Sequence, residues 1–496
     1  MAKYILAIDQ GTTGTTVSLV NSSGQIVSKH NQEFPQYFPQ PGWVEHDSKE
    51  IWQSVLTSIT KALGGANVSG ADIAAIGITN QRETVLMWDR KTGEPLHNAI
   101  VWQCRRTSEF CDGLKKRKLE KTIYSRTGLV VDAYFSGSKI NWLLKNISGA
   151  QSRAKSGALA VGTIDTFLIS QLSQGEIHKT DVSNASRTQL MNLEKCEWDA
   201  DMLKIFGVPK EILPQICSSN EIFGHTKGLS VLPDGIPISG VAGDQQAALF
   251  GQTCFSPGEA KCTFGTGSFL LINSGNKPKV SKSRLLTTVA WRLKDEKKTT
   301  YALEGGAFIC GAAVQWLRDG LKVVSRASEI EQLANSVVDT GGVEFVPALT
   351  GMGAPHWEQD ARGLICGLTR GTTSAHLARA TLEAMALQNT EILIAMQKDL
   401  STALKSLRVD GGASSNNLLM QIQSDYLGVE ILRPEIIETT SAGAAYLSGL
   451  GVGFWNSLND IKKIWKVEKE FKPKISSRDR RERLEKWSKA IERARL

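Results

Sequence analysis

The 496-residue chain lacks long apolar runs, which argues against a membrane-spanning architecture. No uninterrupted apolar stretch approaches the roughly 18 residues of a spanning helix, and the best candidate, 238–250, is broken by Asp244, Gln245 and Gln246. Met1 leads straight into strand-like residues, without the apolar segment and small-residue cleavage site of a secretion signal. These absences predict a cytoplasmic protein.

Two further kinds of pattern are missing. The eight cysteines include no Cys-x-x-Cys pair and no cluster with histidine at metal-ligand spacing, so we expect reduced, mostly buried thiols and no structural zinc. The chain also has neither a GxxxxGK[ST] phosphate loop nor a GxGxxG dinucleotide fingerprint. Any nucleotide must therefore be held by other turns.

Basic residues are concentrated at the C-terminus. Residues 472–496 hold ten Lys or Arg and four Asp or Glu, which accounts for +6 of the net charge of +8. Leu484, Trp487 and Ile491 recur there at helical spacing, which predicts one docked helix with a solvated basic face. Because no nucleic-acid-binding motif accompanies this charge, no nucleic-acid partner is expected.

Strand-like and helical segments alternate along the chain, the pattern of an α/β protein. The strands predicted in the opening segment are 4–8, 15–21, 25–33 and 73–79. Asp47 and Glu50 predict a capping box. The buried face of the helix that follows is predicted to contain Ile51, Val55, Ile59 and Leu63.

The opening strand-turn-strand pattern recurs near the middle of the chain. The turn 9–14 between two strands is repeated by the turn 265–267 between 260–264 and 268–273. We therefore expect two domains, 1–251 and 252–496, divided in the segment 251–258 with its Ser-Pro-Gly sequence. The alternative is a chance match of two short Gly/Thr turns.

The two repeated turns have the composition of phosphate sites. Residues 9–14 offer freed backbone amides, two hydroxyl donors and, in Asp9, a carboxylate that could act through hydrated magnesium. Two such turns from two similar domains could hold a phosphate chain between them. The alternative for one turn alone is a plain hairpin stabilised by its aspartate.

A third glycine turn follows the predicted strand 407–410. Gly411 and Gly412 permit the close backbone approach that a flat adenine or ribose needs. The alternative is a strand-to-helix loop in which a serine or Asn416 caps the next helix.

Polar residues follow two predicted strands, where α/β proteins usually place ligands. Arg82 and Glu83 come shortly after the strand 73–79, and Asp244 follows the strand 238–243. Asp244 is a candidate for catalysis, with a helix N-cap as the alternative. The candidate pocket aromatics, each of which could instead belong to the core, are Trp102, Tyr134 and Phe269.

Several strings of residues together carry a family resemblance. They are 9–13 (DQGTT), 41–47 (PGWVEHD), 77–84 (GITNQRET), 102–106 (WQCRR), 184–187 (NASR), 243–250 (GDQQAALF) and 410–412 (DGG). Through them the chain resembles the glycerol kinases of the FGGY carbohydrate kinase family, from residue 4 to about residue 455.

This resemblance implies a fold and an activity. The fold is α/β, with two ribonuclease-H-like domains of the hexokinase and actin type and a nucleotide and substrate cleft between them. The implied reaction is ATP- and Mg²⁺-dependent phosphorylation of glycerol to sn-glycerol 3-phosphate, the first step of glycerol catabolism. The implied assembly is a homodimer or homotetramer.

The resemblance also assigns roles to residues. The positions that match glycerol contacts are Arg82, Glu83, Trp102, Tyr134, Asp244, Gln245 and Phe269, with Asp244 also the general base. The positions that match phosphate contacts are Thr12, Thr13, Gly14 and Thr266, and those that match nucleotide contacts are Gly311, Gln315, Gly412 and Asn416. Asp9 would act through magnesium.

The chain departs from the family pattern at two places. Thr16 stands where the family usually has an arginine, so a charged phosphate contact is missing. His356-Trp357-Glu358 replaces the usual Tyr-Trp-Asp. Two other functions remain open: a pentulose kinase of the same family, and a nucleotide-switched binding protein of the actin or Hsp70 type.

Overall fold

Two large mixed β-sheets dominate the computed structural model, which describes residues 3–296, 298–358 and 360–495. The elements up to residue 251 are β1 (Tyr4–Gln10), β2 (Gly14–Asn21), β3 (Ile26–Glu33), β4 (Glu45–His46), α1 (Ser48–Ala66), β5 (Ile73–Asn80), β6 (Val85–Asp89), β7 (Ala99–Ile100), α2 (Ser108–Lys116), α3 (Glu120–Thr127), α4 (Ser136–Asn146), α5 (Ala150–Lys155), β8 (Leu159–Thr163), α6 (Ile164–Leu172), β9 (Lys179–Asp181), α7 (Val182–Ala185), β10 (Met191–Asn192), β11 (Glu197–Trp198), α8 (Ala200–Phe206), β12 (Gln215–Cys217), β13 (Ile222–His225), β14 (Pro237–Gly243) and α9 (Asp244–Gly251).

The elements from residue 260 onward are β15 (Ala260–Phe264), β16 (Ser268–Gly275), β17 (Leu286–Arg292), β18 (Thr299–Ala307), α10 (Gly311–Asp319), α11 (Ile330–Asn335), β19 (Glu344–Val346), β20 (Leu364–Cys366), α12 (Ser374–Leu400), β21 (Ser406–Asp410), α13 (Asn417–Leu427), β22 (Glu430–Pro434), α14 (Thr439–Val452), α15 (Leu458–Ile464), β23 (Val467–Phe471) and α16 (Ser477–Ala494). Short 3₁₀ turns lie at Gly70–Asp72, Lys210–Ile212, Ala327–Glu329 and Gly412–Ser415.

The two sheets share one strand plan. The first has the order β3-β2-β1-β5-β14-β13, and the second contains β18-β16-β15-β21-β22-β23, with β17 added outside β18. In each, three antiparallel strands adjoin two further strands parallel to the third, and an antiparallel strand closes the edge. This repeated plan confirms the α/β fold with two ribonuclease-H-like sheets.

The opening helix shows the predicted buried face but a different N-terminus. Ile51, Val55 and Ile59 are fully buried and pack in the core beneath the first sheet. Asp47 caps α1 by accepting a hydrogen bond from the Lys49 backbone N at 2.8 Å. The predicted capping box is wrong, because the Glu50 carboxylate instead accepts a hydrogen bond from the Tyr37 hydroxyl at 2.8 Å.

Helices α9 and α14 pack against each other with their backbones in close contact. A Cβ atom on Gly443 would lie 1.8 Å from the Ala247 carbonyl oxygen, and one on Gly251 would lie 2.0 Å from the Thr439 carbonyl oxygen. Only glycine permits this approach. Because α9 begins at Asp244, the contact fixes the element that carries the principal candidate for catalysis.

We therefore expect Gly443→Ala to lower the free energy of unfolding by roughly 1–3 kcal/mol through overpacking. The urea midpoint of the purified variant measures this effect. Gly113→Ala in α2 is the matched control, since its Cβ would meet nothing within 4 Å. A Gly443→Ala variant as stable as Gly113→Ala would show that α9 and α14 can separate at little cost.

The basic C-terminal segment forms the docked helix that the apolar spacing predicts. Trp487 and Ile491 of α16 are buried in the core of the second sheet, and Leu484 is half-buried against it. Arg483 adds ion pairs with Glu344 at 2.8 Å and Glu383 at 3.0 Å. The apolar stripe and these pairs hold α16 against the second sheet.

The thiols also match expectation, since seven of the eight cysteines are buried and all are unpaired. Within the described ranges, no helix combines the length and apolar character that crossing a bilayer requires.

Candidate active site

Asp244 lies at the carboxyl end of β14 as the first residue of α9, while Gly243 holds the capping position. Asp244 Oδ1 forms an ion pair with Arg82 Nε at 2.9 Å and accepts a hydrogen bond from the Gln245 backbone N at 2.7 Å. Its Oδ2 has no hydrogen-bond partner among residues 3–296, 298–358 and 360–495, and the side chain is 32 % exposed. The N-cap alternative is therefore wrong, and one carboxylate oxygen is free to meet a ligand.

Arg82 links Asp244 to the second sheet. Arg82 follows the end of β5, and its side chain is buried. Its Nη1 and Nη2 donate to the two carboxylate oxygens of Glu304 at 2.6 and 3.0 Å. Glycine at 243 makes room for this side chain, because a Cβ there would lie 2.7 Å from the Arg82 stem. Bidentate pairing of this kind fixes both the position and the plane of the guanidinium.

Arg187 extends the pairing to Glu83. Arg187 Nε donates to Glu83 Oε1 at 2.6 Å, and its Nη2 donates to Glu304 Oε1 at 3.1 Å. Burial raises the pKa of Glu304, but Arg187 and Arg82 outweigh burial and bring it to about 2. The resulting chain of alternating charges, called the charge network below, is Glu83, Arg187, Glu304, Arg82 and Asp244.

The predicted aromatics Trp102 and Tyr134 lie together beside the charge network. Their rings meet edge to face with centroids 5.5 Å apart, and the Arg187 guanidinium carbon lies 5.8 Å from the Tyr134 ring centroid. Burial and the charge of Glu83 raise the pKa of Tyr134 far above its usual range, so its hydroxyl remains a hydrogen-bond donor. Phe269 is half-buried on β16, against Gly306.

Gln245 is held by a buried lysine from the second sheet. Lys261 on β15 is fully buried, and its Nζ donates to Gln245 Oε1 and, at 2.8 Å, to Thr263 Oγ1. Burial lowers the pKa of Lys261, and the charge of Asp410 opposes that shift. The second sheet therefore positions the predicted pocket at two points, Glu304 and Lys261.

The first predicted phosphate turn is closed by a hydrogen bond from the Gly11 N to the Gly14 carbonyl oxygen at 2.9 Å. Trp102 Nε1 donates to Thr12 Oγ1 at 3.0 Å, so the aromatic wall of the pocket contacts this turn directly. Thr13 is exposed at the turn. The Thr12 and Thr13 hydroxyls thus lie on the turn, and its role in phosphate binding remains a prediction.

The second predicted phosphate turn has the same closure, from the Gly265 N to the Gly267 carbonyl oxygen at 2.9 Å. Helix α10 begins beside it, and the Gly311 N donates to the Gly265 carbonyl oxygen at 2.9 Å. A Cβ on Gly311 would lie 2.7 Å from that oxygen, which explains the glycine. Thr266 and Gln315 are both exposed, and a helix N-terminus next to such a turn favours an anion.

The third turn packs on the end of β15. Gly411 has a left-handed φ of 84°, and a Cβ there would lie 2.6 Å from the Phe264 carbonyl oxygen. Gly412 is exposed, and a Cβ there would meet nothing within 4 Å. Asn416 caps α13 by accepting from the Leu419 N at 2.8 Å, so the capping interpretation of this loop is confirmed. A nucleotide contact at Gly412 and Asn416 remains a prediction.

Asp9, at the end of β1, has the chemistry of a magnesium ligand. Burial and the nearby charge of Asp244 raise its pKa to about 7, while the Ser441 hydroxyl lowers it. A cation would relieve this carboxylate repulsion. Groups of three or more His, Cys, Asp or Glu suited to a metal do not occur in the part of the chain described. These oxygen donors fit a magnesium ion that keeps water and phosphate ligands, as this ion prefers.

The two departures from the family pattern have local partners. Thr16 Oγ1 accepts from Asn31 Nδ2 at 2.9 Å, so neutral groups occupy that position. His356 Nε2 lies 2.9 Å from Glu391 Oε1 on α12, and Glu358 pairs with Arg495 at 3.0 Å. The second departure therefore belongs to the packing of α12 and the C-terminal segment.

Three charged residues of the site are additional to those predicted: Arg187, Lys261 and Glu304. Arg187 stands in a string that carried the family resemblance, but no role was assigned to it. Glu304 places a charge inside β18, and Lys261 places one inside β15; both strands are otherwise mostly apolar. A charge in such a strand is costly unless it is paired, and this was the available signal.

Comparison with known proteins agrees with this architecture. Residues 4–251 match the N-terminal domain, and residues 260–451 the C-terminal domain, of the FGGY family of carbohydrate kinases. The chain therefore belongs to the FGGY family of carbohydrate kinases.

Within that family, the similarity is to glycerol kinases over the whole chain. Glycerol kinase of Bdellovibrio bacteriovorus is 60% identical and that of Myxococcus xanthus 56% identical, each with 99% of both chains covered. The crystal structure of Plasmodium falciparum glycerol kinase with ADP has a TM-score of 0.93 at 39% identity, covering 99% of this chain and 98% of that one. A xylulose kinase from Lactobacillus acidophilus, 22% identical with a TM-score of 0.87, shares the fold.

Proposed function

We propose that this enzyme transfers the γ-phosphoryl group of ATP directly to glycerol, with Asp244 as the general base. The observation that carries the proposal is the state of the Asp244 carboxylate: Oδ1 is fixed by Arg82 and Gln245, and Oδ2 is free. The glycerol kinases to which the chain is 52–60% identical support the same acceptor.

The acceptor pocket follows from the groups around that free oxygen. Glu83 offers an acceptor, and the amide Nε2 of Gln245 offers a donor because its Oε1 already accepts from Lys261. The Arg82 N–H left after its contacts with Glu304, Gln246 and Asp244 offers a further donor. Trp102 and Phe269 supply apolar surface for a three-carbon chain, with the Tyr134 hydroxyl as a further donor. A site that pairs several adjacent hydroxyls discriminates strongly against molecules that leave its polar groups unpaired.

Phosphoryl transfer needs a better nucleophile than a neutral hydroxyl. Asp244 Oδ2 accepts the hydroxyl proton as the glycerol oxygen bonds to the γ-phosphorus, the bond from that phosphorus to the β,γ-bridging oxygen breaks, and ADP leaves. Thr12, Thr13 and Gly14 on one turn and Thr266 on the other bind the phosphates, while Gly311, Gln315, Gly412 and Asn416 face the nucleoside. Asp9 would hold magnesium, which would neutralise part of the phosphate charge.

The acceptor assignment is tested by ADP release with glycerol, dihydroxyacetone, xylulose and ribulose. We expect kcat/KM for glycerol to exceed that for xylulose by at least about a hundredfold, because a five-carbon ketose mismatches the pocket. A higher kcat/KM on xylulose would instead identify a pentulose kinase. ADP release unchanged by every acceptor would favour a nucleotide-switched binding protein.

A further inference from the structure

A buried acid from the second sheet lies at the centre of the charge network. Glu304 on β18 is 2 % exposed, and its carboxylate accepts hydrogen bonds from two side chains supplied by the other sheet's half of the chain, Arg82 and Arg187. We propose that Glu304 is a positioning residue that aligns Asp244 and Glu83 through these two arginines. The inference rests on the proposed function and adds a residue to it.

One arginine lies between Glu304 and each of the two carboxylates proposed to bind the acceptor. Its bidentate pair with Arg82, at 2.6 and 3.0 Å, sets the plane from which Arg82 Nε reaches Asp244 Oδ1 at 2.9 Å. Its Oε1 also accepts from Arg187, whose Nε reaches Glu83 Oε1 at 2.6 Å. Glu304 therefore sets the direction of two carboxylates that it does not touch.

The backbone of Glu304 is rigid enough for this role. Strand β18 lies inside the second sheet, where Glu304 pairs with Leu271 on β16 and with Leu286 on β17. A residue hydrogen-bonded into strands on both sides cannot shift along its own strand without breaking the register. The two arginines, by contrast, come from segments after β5 and α7, so the strand is the fixed point.

Charge makes the role specific to an acid. Arg82 and Arg187 both contact Glu304 in a buried setting, and each lowers the pKa of Glu304. An amide in place of Glu304 would keep the shape of the side chain but not its charge. The two guanidiniums would then have only Glu83 and Asp244 as anionic partners, and both of these carboxylates must also bind glycerol. Each arginine would then be drawn toward Glu83 or Asp244, and the free oxygen of Asp244 would turn away from the acceptor.

Glu304→Gln and Glu304→Asp test the proposal in steady-state kinetics and in calorimetric glycerol binding. We expect Glu304→Gln to lower kcat/KM for glycerol roughly tenfold to hundredfold, through both a higher KM and a lower kcat, with the ATP KM within twofold of wild type. Glu304→Asp keeps the charge and should recover part of the loss. Glu259→Gln, which removes an acid paired with Arg408 at 3.2 Å outside the site, should leave all constants unchanged.

Specific outcomes overturn the proposal. The proposal is wrong if Glu304→Gln folds and its kcat/KM for glycerol is within threefold of wild type. It is also wrong if the KM for glycerol and the KM for ATP rise by the same factor. If Glu304→Gln does not fold, Glu304→Asp decides alone: a several-fold fall for glycerol only supports the role, and no fall rejects it. If wild type prefers another acceptor, the proposed function fails separately, and the same variants are measured on that acceptor.

Discussion

Replacing Asp244 by asparagine should remove most turnover while leaving glycerol and ATP binding intact. The amide keeps the size of the side chain, and its oxygen can still lie against Arg82 Nε, but it cannot take the proton of the acceptor hydroxyl. Loss of a general base typically costs a hundred- to ten-thousandfold in rate, which is about 3–5 kcal/mol of barrier. Turnover by ADP release and glycerol affinity by calorimetry measure the two halves of the prediction.

Asp47→Asn is the matched control for that experiment, because Asp47 also lies at a helix N-terminus but only caps it. Asparagine caps about as well as aspartate, so this variant should keep full activity and stability. Near-native turnover of Asp244→Asn, with the control normal, would reject the catalytic role of Asp244. Lost glycerol affinity in a folded variant would assign Asp244 to binding instead.

The second large effect is expected on stability. Arg187→Met keeps the unbranched apolar stem of the side chain but leaves Glu83 and Glu304 short of a buried cation. Both acids are at most 2 % exposed, and Arg187 itself is fully buried. Removing one partner of a buried ion pair costs roughly 3–5 kcal/mol, because the remaining charge is uncompensated. The urea midpoint of unfolding should fall accordingly.

Arg478→Met provides the comparison for this measurement. Arg478 pairs with Glu482 at 2.9 Å on the solvent side of α16 with its side chain 81% exposed, so its loss should leave the midpoint nearly unchanged. A midpoint of Arg187→Met close to that of Arg478→Met would mean that water reaches the charge network. The same result would weaken the positioning role of Glu304.

Local sequence patterns predicted the parts of the fold that depend on neighbours in the chain. The β1–β2 and β15–β16 hairpins follow from Gly/Thr turns between apolar strands, and both turns close in the same way. The buried stripe of α1 follows from its four-residue spacing. The capping box failed because Tyr37, ten residues before the cap, competes for Glu50.

The centre of the site could not be predicted in the same way. Arg82 and Glu83 were found because they follow a strand, and Asp244 for the same reason. Their partner Arg187 lies just after α7, and their partner Glu304 lies inside β18. No periodicity in the sequence relates such distant positions. The composition of one strand could suggest that Glu304 is paired, but only the assembled sheets identify the partner.

The separation of Arg82 from Glu304, 222 positions along the chain, has a consequence during synthesis. At roughly 5–20 residues per second, Arg82 is added to the nascent chain about ten to forty-five seconds before Glu304. During that interval the nascent chain carries Arg82, and later also Arg187, without the glutamate that both arginines contact in the finished protein. The proposed acceptor pocket is therefore complete only after β18 has been translated, and we expect a chain that ends before Glu304 to lack it.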